Sequence, residues 1–169
     1  MLGPRAAEII AKVFEGTDHD FSHQHVTFAE RDGAIVGMIS GYSAEQHRRS
    51  SPQALEHAAG RWSVRMFIVS LLFAPLLRIL DSMADNDFYI LAIAVDPELR
   101  GAGVGSMLLE TVEEQGRASG ANRLALDVSA KNEGARRLYE RRGFTRESTW
   151  PKRVRIPVLK LHRMVKPLS

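Results

Sequence analysis

An apolar run, Phe88 to Val95 (FYILAIAV), is cut off by Asp96-Pro97. After a short turn the chain enters Arg100-Gly101-Ala102-Gly103-Val104-Gly105 and then SMLLETVEEQG. The run is too short for a globular helix and a proline closes it, so it reads as a buried strand. Beyond it, Val104, Met107, Leu108, Leu109 and Val112 recur at helical spacing and make one apolar stripe, with Glu110, Glu113 and Glu114 outside it. The order is strand, glycine-rich loop, helix.

The glycines fall where that helix begins. Glycine has no Cβ, so a phosphate can approach the backbone closely. The first N–H groups of a helix have no internal acceptor and carry the positive end of its dipole. A diphosphate held by backbone amides, with Arg100 beside it, is the chemistry such a turn suits. A tight turn with small residues kept for packing is the alternative. Two other phosphate loops do not match. No Gly-Lys-Ser/Thr is present, as a P-loop requires. The spacing Gly101, Gly103, Gly105 is not G-x-G-x-x-G, and no opening βαβ unit precedes it.

The segment Arg100-x-x-Gly103-x-Gly105, after a strand ending Val95-Asp96-Pro97, resembles the acetyl-CoA-binding signature of the GNAT family of N-acetyltransferases. The likeness continues through Leu126-Asp127-Val128-Ser129-Ala130-Lys131-Asn132, then Ala135 to Glu140 (ARRLYE), then Gly143-Phe144. It covers Phe88 to Phe144 well and the remainder loosely. The resemblance implies one mixed α/β domain over residues 1–169, with a central mixed sheet flanked by helices. Acetyl-CoA would be the cosubstrate, with no metal. By the same resemblance, Ile93, Ala94 and Val95 pair with the pantetheine amides in the manner of an added strand. Arg100, Gly101, Ala102, Gly103, Val104 and Gly105 take the diphosphate. Asn132 contacts CoA, and as a helix N-cap it can do both.

An amine must be neutral to attack a thioester. A lysine-type amine has a reference pKa of about 10.4 and an α-amine about 8, so a base, or water leading to one, is expected. Asp127 falls where some members of the family carry a glutamate base; a strand-end carboxylate paired with a late arginine is its other reading. Asp87, Tyr89, His162 and Glu30 are further candidates. Tyr139 matches the tyrosine that commonly returns a proton to the leaving thiolate, against the alternative of a core aromatic on an amphipathic helix.

Composition narrows the rest. A chain of 169 residues with 44% hydrophobic and 25% charged content suits one globular domain. A formal net charge of +3 is no nucleic-acid footprint. The late basic residues Arg136, Arg137, Arg141, Arg142 and Arg146 read as a solvated face or as a rim for the CoA 3′-phosphate. With no cysteine, disulfides, cysteine zinc sites and an acyl-cysteine intermediate are excluded, and a cytoplasmic protein is expected. Met66 to Leu80 is too short to span a bilayer and contains Pro75, so a buried or interface helix is expected, with a membrane-surface helix as the alternative. His19, His23 and His25 read as a polar loop rather than a metal site.

In chain order, Pro4 to Phe14 reads as a helix and Gly16 to Asp20 as a loop. His25 to Arg31 and Ala34 to Gly41 alternate around Asp32-Gly33, a hairpin signal. Ser43 to Ser51 is polar and expected to be exposed. Pro52 to Gly60 and Arg61 to Met83 read as inserted helices, placed to cover a substrate or form a dimer face. The family's opening strand is expected to be missing. A strand is expected over Arg123 to Val128, a helix over Glu133 to Arg142, and final strands over Phe144 to Trp150 and Val154 to Val165. The function expected is transfer of acetyl from acetyl-CoA to a primary amine by direct attack in a ternary complex. The partners expected are acetyl-CoA and the amine, with a homodimer as a further option and no nucleic acid or membrane. A non-catalytic CoA-binding module, and a protein N-terminal or lysine acetyltransferase, are the alternatives.

Overall fold

The computed structural model describes residues 11, 14–17, 19–50, 83–151 and 160–168. The chain groups into two compact units, one holding Met1–His25 and Glu45–Ser82, the other Val26–Ala44 and Met83–Ser169. The larger unit is built on a six-stranded sheet: β1 (Val26–Arg31), β2 (Ala34–Ser43), β3 (Asp87–Val95), β4 (Arg123–Ser129), β5 (Thr145–Trp150) and β6 (Leu161–Pro167). Their spatial order is β1-β2-β3-β4-β6-β5. The β3–β4 pair is parallel and the others are antiparallel, so the sheet is mixed as expected. Three α-helices lie among the described residues: α1 (Ala44–Arg49), α2 (Val104–Ala118) and α3 (Glu133–Arg141).

The β1–β2 hairpin turns at Asp32 and Gly33, both left-handed at φ 53° and 77°. That pair of positive φ values matches the strand twist, which is why Asp-Gly is such a strong hairpin signal. The polar stretch after β2, expected to be exposed, forms a short helix, α1, with Ala44 buried and Glu45, Gln46, Arg48 and Arg49 exposed. Residues 1–10 and 51–82 lie outside the described set. The expectations of a missing opening strand, of a helix over most of Pro4 to Phe14 and of inserted helices over 52–83 therefore fall on residues not described, as does the start of the last strand expected over Val154 to Val165.

The core lies between one face of the sheet and α2. Leu108, Leu109 and Val112 are at most 2% exposed and meet Phe88, Ile90, Leu124, Leu126 and Met164. Burying side chains of this size supplies about 1.5–3 kcal/mol each. Two expectations about α2 need correction. Met107 is 49% exposed and sits off the stripe. Glu113, expected outside, is buried at 7%. Its carboxylate is met by Lys166 at the end of β6 and by Arg142 at 3.7 Å, so a flank position of the helix becomes an ion-pair site.

One irregularity shapes the middle of the sheet. Against β2, β3 pairs from Val95 back to Ala92 (opposite Ser40) and resumes at Ile90 (opposite Gly41), leaving Leu91 unmatched. Against β4, the parallel ladder runs only from Asp87↔Arg123 to Ile90↔Leu126. A bulge bends its strand and raises the local twist. Here it coincides with the point where β3 leaves β4. Past it, Ala92 to Val95 pair with β2 alone, and Asp127 to Ser129 with β6 alone. No helix among the described residues is long and apolar enough to cross a membrane.

Gly41 lies opposite the bulge, and a Cβ there would come within 2.6 Å of the Phe88 ring and 2.9 Å of the Tyr89 carbonyl oxygen. Gly41→Ala is expected to cost about 1–3 kcal/mol by crowding the fork. Denaturant unfolding measures it, and an unchanged midpoint would show that the fork tolerates the methyl group.

Candidate active site

The chain between β3 and α2 is shaped by its own local bonds. Asp96 Oδ1 accepts from the Glu98 N–H at 2.9 Å and caps a 3-10 turn over Pro97–Leu99. The Asp96 N–H is tied to the Val36 carbonyl at 2.9 Å. Next, the Ala102 N–H donates to Leu99 O at 3.1 Å, and the Ser106 and Met107 N–H groups both donate to Gly103 O. Gly103 is the N-cap of α2 at φ 91°, a left-handed conformation that glycine adopts without strain, and it brings no side-chain cap. The N–H groups of Gly101, Gly103, Val104 and Gly105 find no acceptor among the described residues. They stand at the positive end of α2, where an anion is favoured.

A groove of about 570 Å³ runs between the end of β3, this turn and one side of α3. It brings together most of the residues singled out from the sequence. Ile93, Ala94 and Val95 line it, as do Arg100, Gly101, Gly103, Gly105, Asn132 and Tyr139. Two do not. Ala102 is exposed, and the Val104 side chain packs on the core, although its backbone N–H remains at the helix start. Leu99, Ser106, Gly134, Ala135 and Leu138 also line the groove and were not singled out for it, and Arg141 joins them from the late basic residues. The signal for four of them was present, since Gly134, Ala135, Leu138 and Arg141 recur on one face of a helix. At the floor, α2 and α3 approach so closely that a Cβ on Gly105 would stand 3.2 Å from Leu138 Cδ2.

The groove's charge is positive. Arg100 and Arg141 are exposed on it, and neither has a carboxylate partner among the described residues. Neighbouring arginines are neutralised, Arg137 of α3 by Glu133 at 3.2 Å and Arg142, at the C-cap of α3, by Glu110 at 2.8 Å. Asn132 Oδ1 accepts from the Ala135 N–H at 3.1 Å, which makes it the expected N-cap of α3. Tyr139 is 6% exposed, with its ring 5.7 Å from that of Phe144. Its hydroxyl has no hydrogen-bond partner among the described residues, and burial pushes the phenol up to about 12.

The base candidates lie elsewhere. Asp127 is outside the groove, its side chain 4% exposed. It accepts from Arg163 Nε at 2.9 Å, from Arg163 Nη2 at 2.8 Å and from the Tyr89 hydroxyl at 2.9 Å. Asp87 is paired with Arg123 at 2.5 and 3.1 Å. Burial, then the Asp127 carboxylate, pushes the Tyr89 phenol far above its ordinary value, so it serves as a donor. His162 is hydrogen-bonded through Nδ1 to Thr149 at 2.8 Å, and burial, followed by nearby Arg146, Arg136 and Lys160, lowers its pKa. Glu30 is exposed on β1. In the smaller unit, His47 Nδ1 meets Asp20 Oδ2 at 2.7 Å, and no group of three or more metal-ligating side chains converges among the described residues.

The chain matches the acetyltransferase (GNAT) family over residues 4–144. It belongs to that family. An uncharacterized N-acetyltransferase of Methanocaldococcus jannaschii is 37% identical over 75 residues, which are 44% of this chain and 48% of that protein. The chain spans less than half the length of the curated relatives it matches. Among solved structures, an acetyltransferase superposes over 99% of this chain and 83% of its own, with a TM-score of 0.66 at 23% identity. The yncA protein of Salmonella typhimurium, determined with its cofactor acetyl-CoA, covers 85% of this chain and 64% of its own, with a TM-score of 0.54 at 19% identity. At these identities the likeness is one of fold, and the fold is the GNAT fold.

Asp127→Ala would remove the carboxylate that accepts two hydrogen bonds from the buried Arg163 guanidinium and one from the Tyr89 hydroxyl. A loss of about 3–5 kcal/mol is expected, the scale for breaking a buried pair from one side. Chemical denaturation reads it, and a loss below about 1 kcal/mol would place the pair among surface-like contacts.

Proposed function

We propose that the chain works as a single N-acetyltransferase domain that moves an acetyl group from acetyl-CoA to a primary amine, by direct attack in a ternary complex with Tyr139 as general acid. The observation that carries this reading is the row of N–H groups at Gly101, Gly103, Val104 and Gly105, without acceptors among the described residues and set beside Arg100 and Arg141. Four donors and two cations at a helix start fit a diphosphate. The open side of Ile93–Val95 fits a ligand rich in amides, which can continue the sheet as a further strand. Family membership supports the reaction class, and the acetyl-CoA bound to the yncA protein supports the choice of cosubstrate.

When bound, acetyl-CoA supplies an acyl carbon activated by its thioester. The chain's own part is to hold it and to handle charge and protons. The N–H groups of the β3 edge are the donors available to a carbonyl oxygen that gains negative charge. The amine nitrogen forms the new bond to the acyl carbon and its proton leaves to water, since Asp127, Asp87, Tyr89, His162 and Glu30 all stand off the groove. The C–S bond breaks, and the Tyr139 hydroxyl gives its proton to the departing sulfur. A phenol raised to about 12 keeps its proton at neutral pH, as an acid must.

Tyr139→Phe is expected to lower turnover roughly a hundredfold or more while leaving CoA affinity nearly unchanged. CoA release, followed over a panel of small amines, amino acids and peptides, measures it. Because Tyr139 is protonated below about 12, the wild-type rate should climb as the amine loses its proton and show no alkaline fall up to about pH 10. A fall near pH 8, or an unaffected Tyr139→Phe variant, would remove Tyr139 from the acid role. Absence of release with every amine would remove the enzyme reading.

A further inference from the structure

We propose that Tyr89, Asp127 and Arg163 form a clasp across the fork of the sheet, and that Tyr89 is a positioning residue for the pantetheine-binding edge of β3. The inference deepens the acetyl-CoA reading and rests on it.

The parallel ladder between β3 and β4 has four residue pairs, Asp87↔Arg123 to Ile90↔Leu126. A side-chain bridge stands near each end. At the start, Arg123 of β4 grips Asp87 of β3. At the fork, the Tyr89 hydroxyl reaches diagonally from one residue before the last pair to Asp127, one residue after it, at 2.9 Å. Asp127 is in turn held by Arg163, its register partner on β6. Tyr42, the register partner of Tyr89 on β2, sets its ring 5.7 Å from the Tyr89 ring, and the Arg163 guanidinium lies 5.5 Å from the same ring centre. One row of side chains therefore crosses four strands at the place where the backbone ladder stops.

The row lies on the opposite face from the core, because Phe88, Ile90, Leu124, Leu126 and Met164, which alternate with it, face α2. All of its members are buried, Tyr89 at 2% exposure and the Asp127 and Arg163 side chains at 4%. Buried polar networks with every member bonded rigidify what they touch. The next residues along β3 are the Leu91 bulge and then the open edge. Beyond Ile90 the ladder no longer holds β3 to β4, so the clasp sets the angle at which the edge leaves. Three donated hydrogen bonds occupy most of the roughly four acceptor positions of a carboxylate, which fits Asp127 to anchoring rather than to taking a proton from an amine.

Two variants test this. Tyr89→Phe keeps the ring against Tyr42 and removes only the hydroxyl. Calorimetry with CoA and with adenosine 3′,5′-diphosphate, which lacks the pantetheine arm, should show CoA weakened about tenfold and the fragment unchanged, the scale of one hydrogen bond acting through the edge. An equal loss for both ligands, or no loss for either, would overturn the clasp. Asp127→Asn still offers Tyr89 an oxygen. It loses the charge that holds Arg163, so CoA should weaken while adenosine 3′,5′-diphosphate holds, whereas a drop of about a hundredfold in turnover at saturating substrate with CoA affinity intact would make Asp127 the base and overturn the clasp. A wild-type protein that binds neither ligand would instead strike at the acetyl-CoA reading itself.

Discussion

A parallel ladder that stops after four residue pairs governs this protein. Hydrogen bonding between β3 and β4 ends at Ile90↔Leu126, beside the unmatched Leu91. Backbone N–H and C=O groups must be paired or solvated. An edge opened in the middle of a sheet is therefore a standing invitation to a ligand that carries amides of its own. The same divergence leaves room between β3 and α3 for the groove, and it delivers the chain to the Asp96-capped turn from which α2 starts.

Two kinds of donor then meet in one channel. Along β3 they are neutral and repeat with the strand. At the start of α2 they are concentrated, aligned with the helix dipole, and flanked by Arg100 and Arg141. The proposed cosubstrate, anionic at one end and amide-bearing along its length, matches that order of donors. Tyr139 comes in from the α3 side, buried but with its hydroxyl left without a partner among the described residues. The carboxylates nearby are otherwise engaged: Asp87 and Asp127 brace the strands, and Glu113 ties α2 to the end of β6.

Features set by a few neighbouring residues were legible in the sequence. Asp32-Gly33 announced the hairpin, Asp96-Pro97 the end of β3, and Gly103 the start of α2, because each depends on local backbone conformation. Asn132 as a cap belongs to the same class. Features set by distant partners were not legible. Glu113 reads as a solvent-facing helix residue until Lys166 is brought against it from 53 positions away. Asp127 reads equally as a base or as half of an ion pair until Arg163 and Tyr89 arrive from β6 and β3. The bulge at Leu91 has no marker such as a glycine at its own position and exists only in the register with β2.

The N–H groups at the start of α2, without acceptors among the described residues, are where a bound diphosphate would be felt first. Their ¹⁵N and ¹H resonances can be followed while CoA is added to the intact protein. Large shifts should fall on Gly101, Gly103, Val104 and Gly105, with smaller ones along Ile93 to Val95. Saturating CoA that leaves those four resonances in place, or moves only residues remote from the groove, would contradict the acetyl-CoA reading.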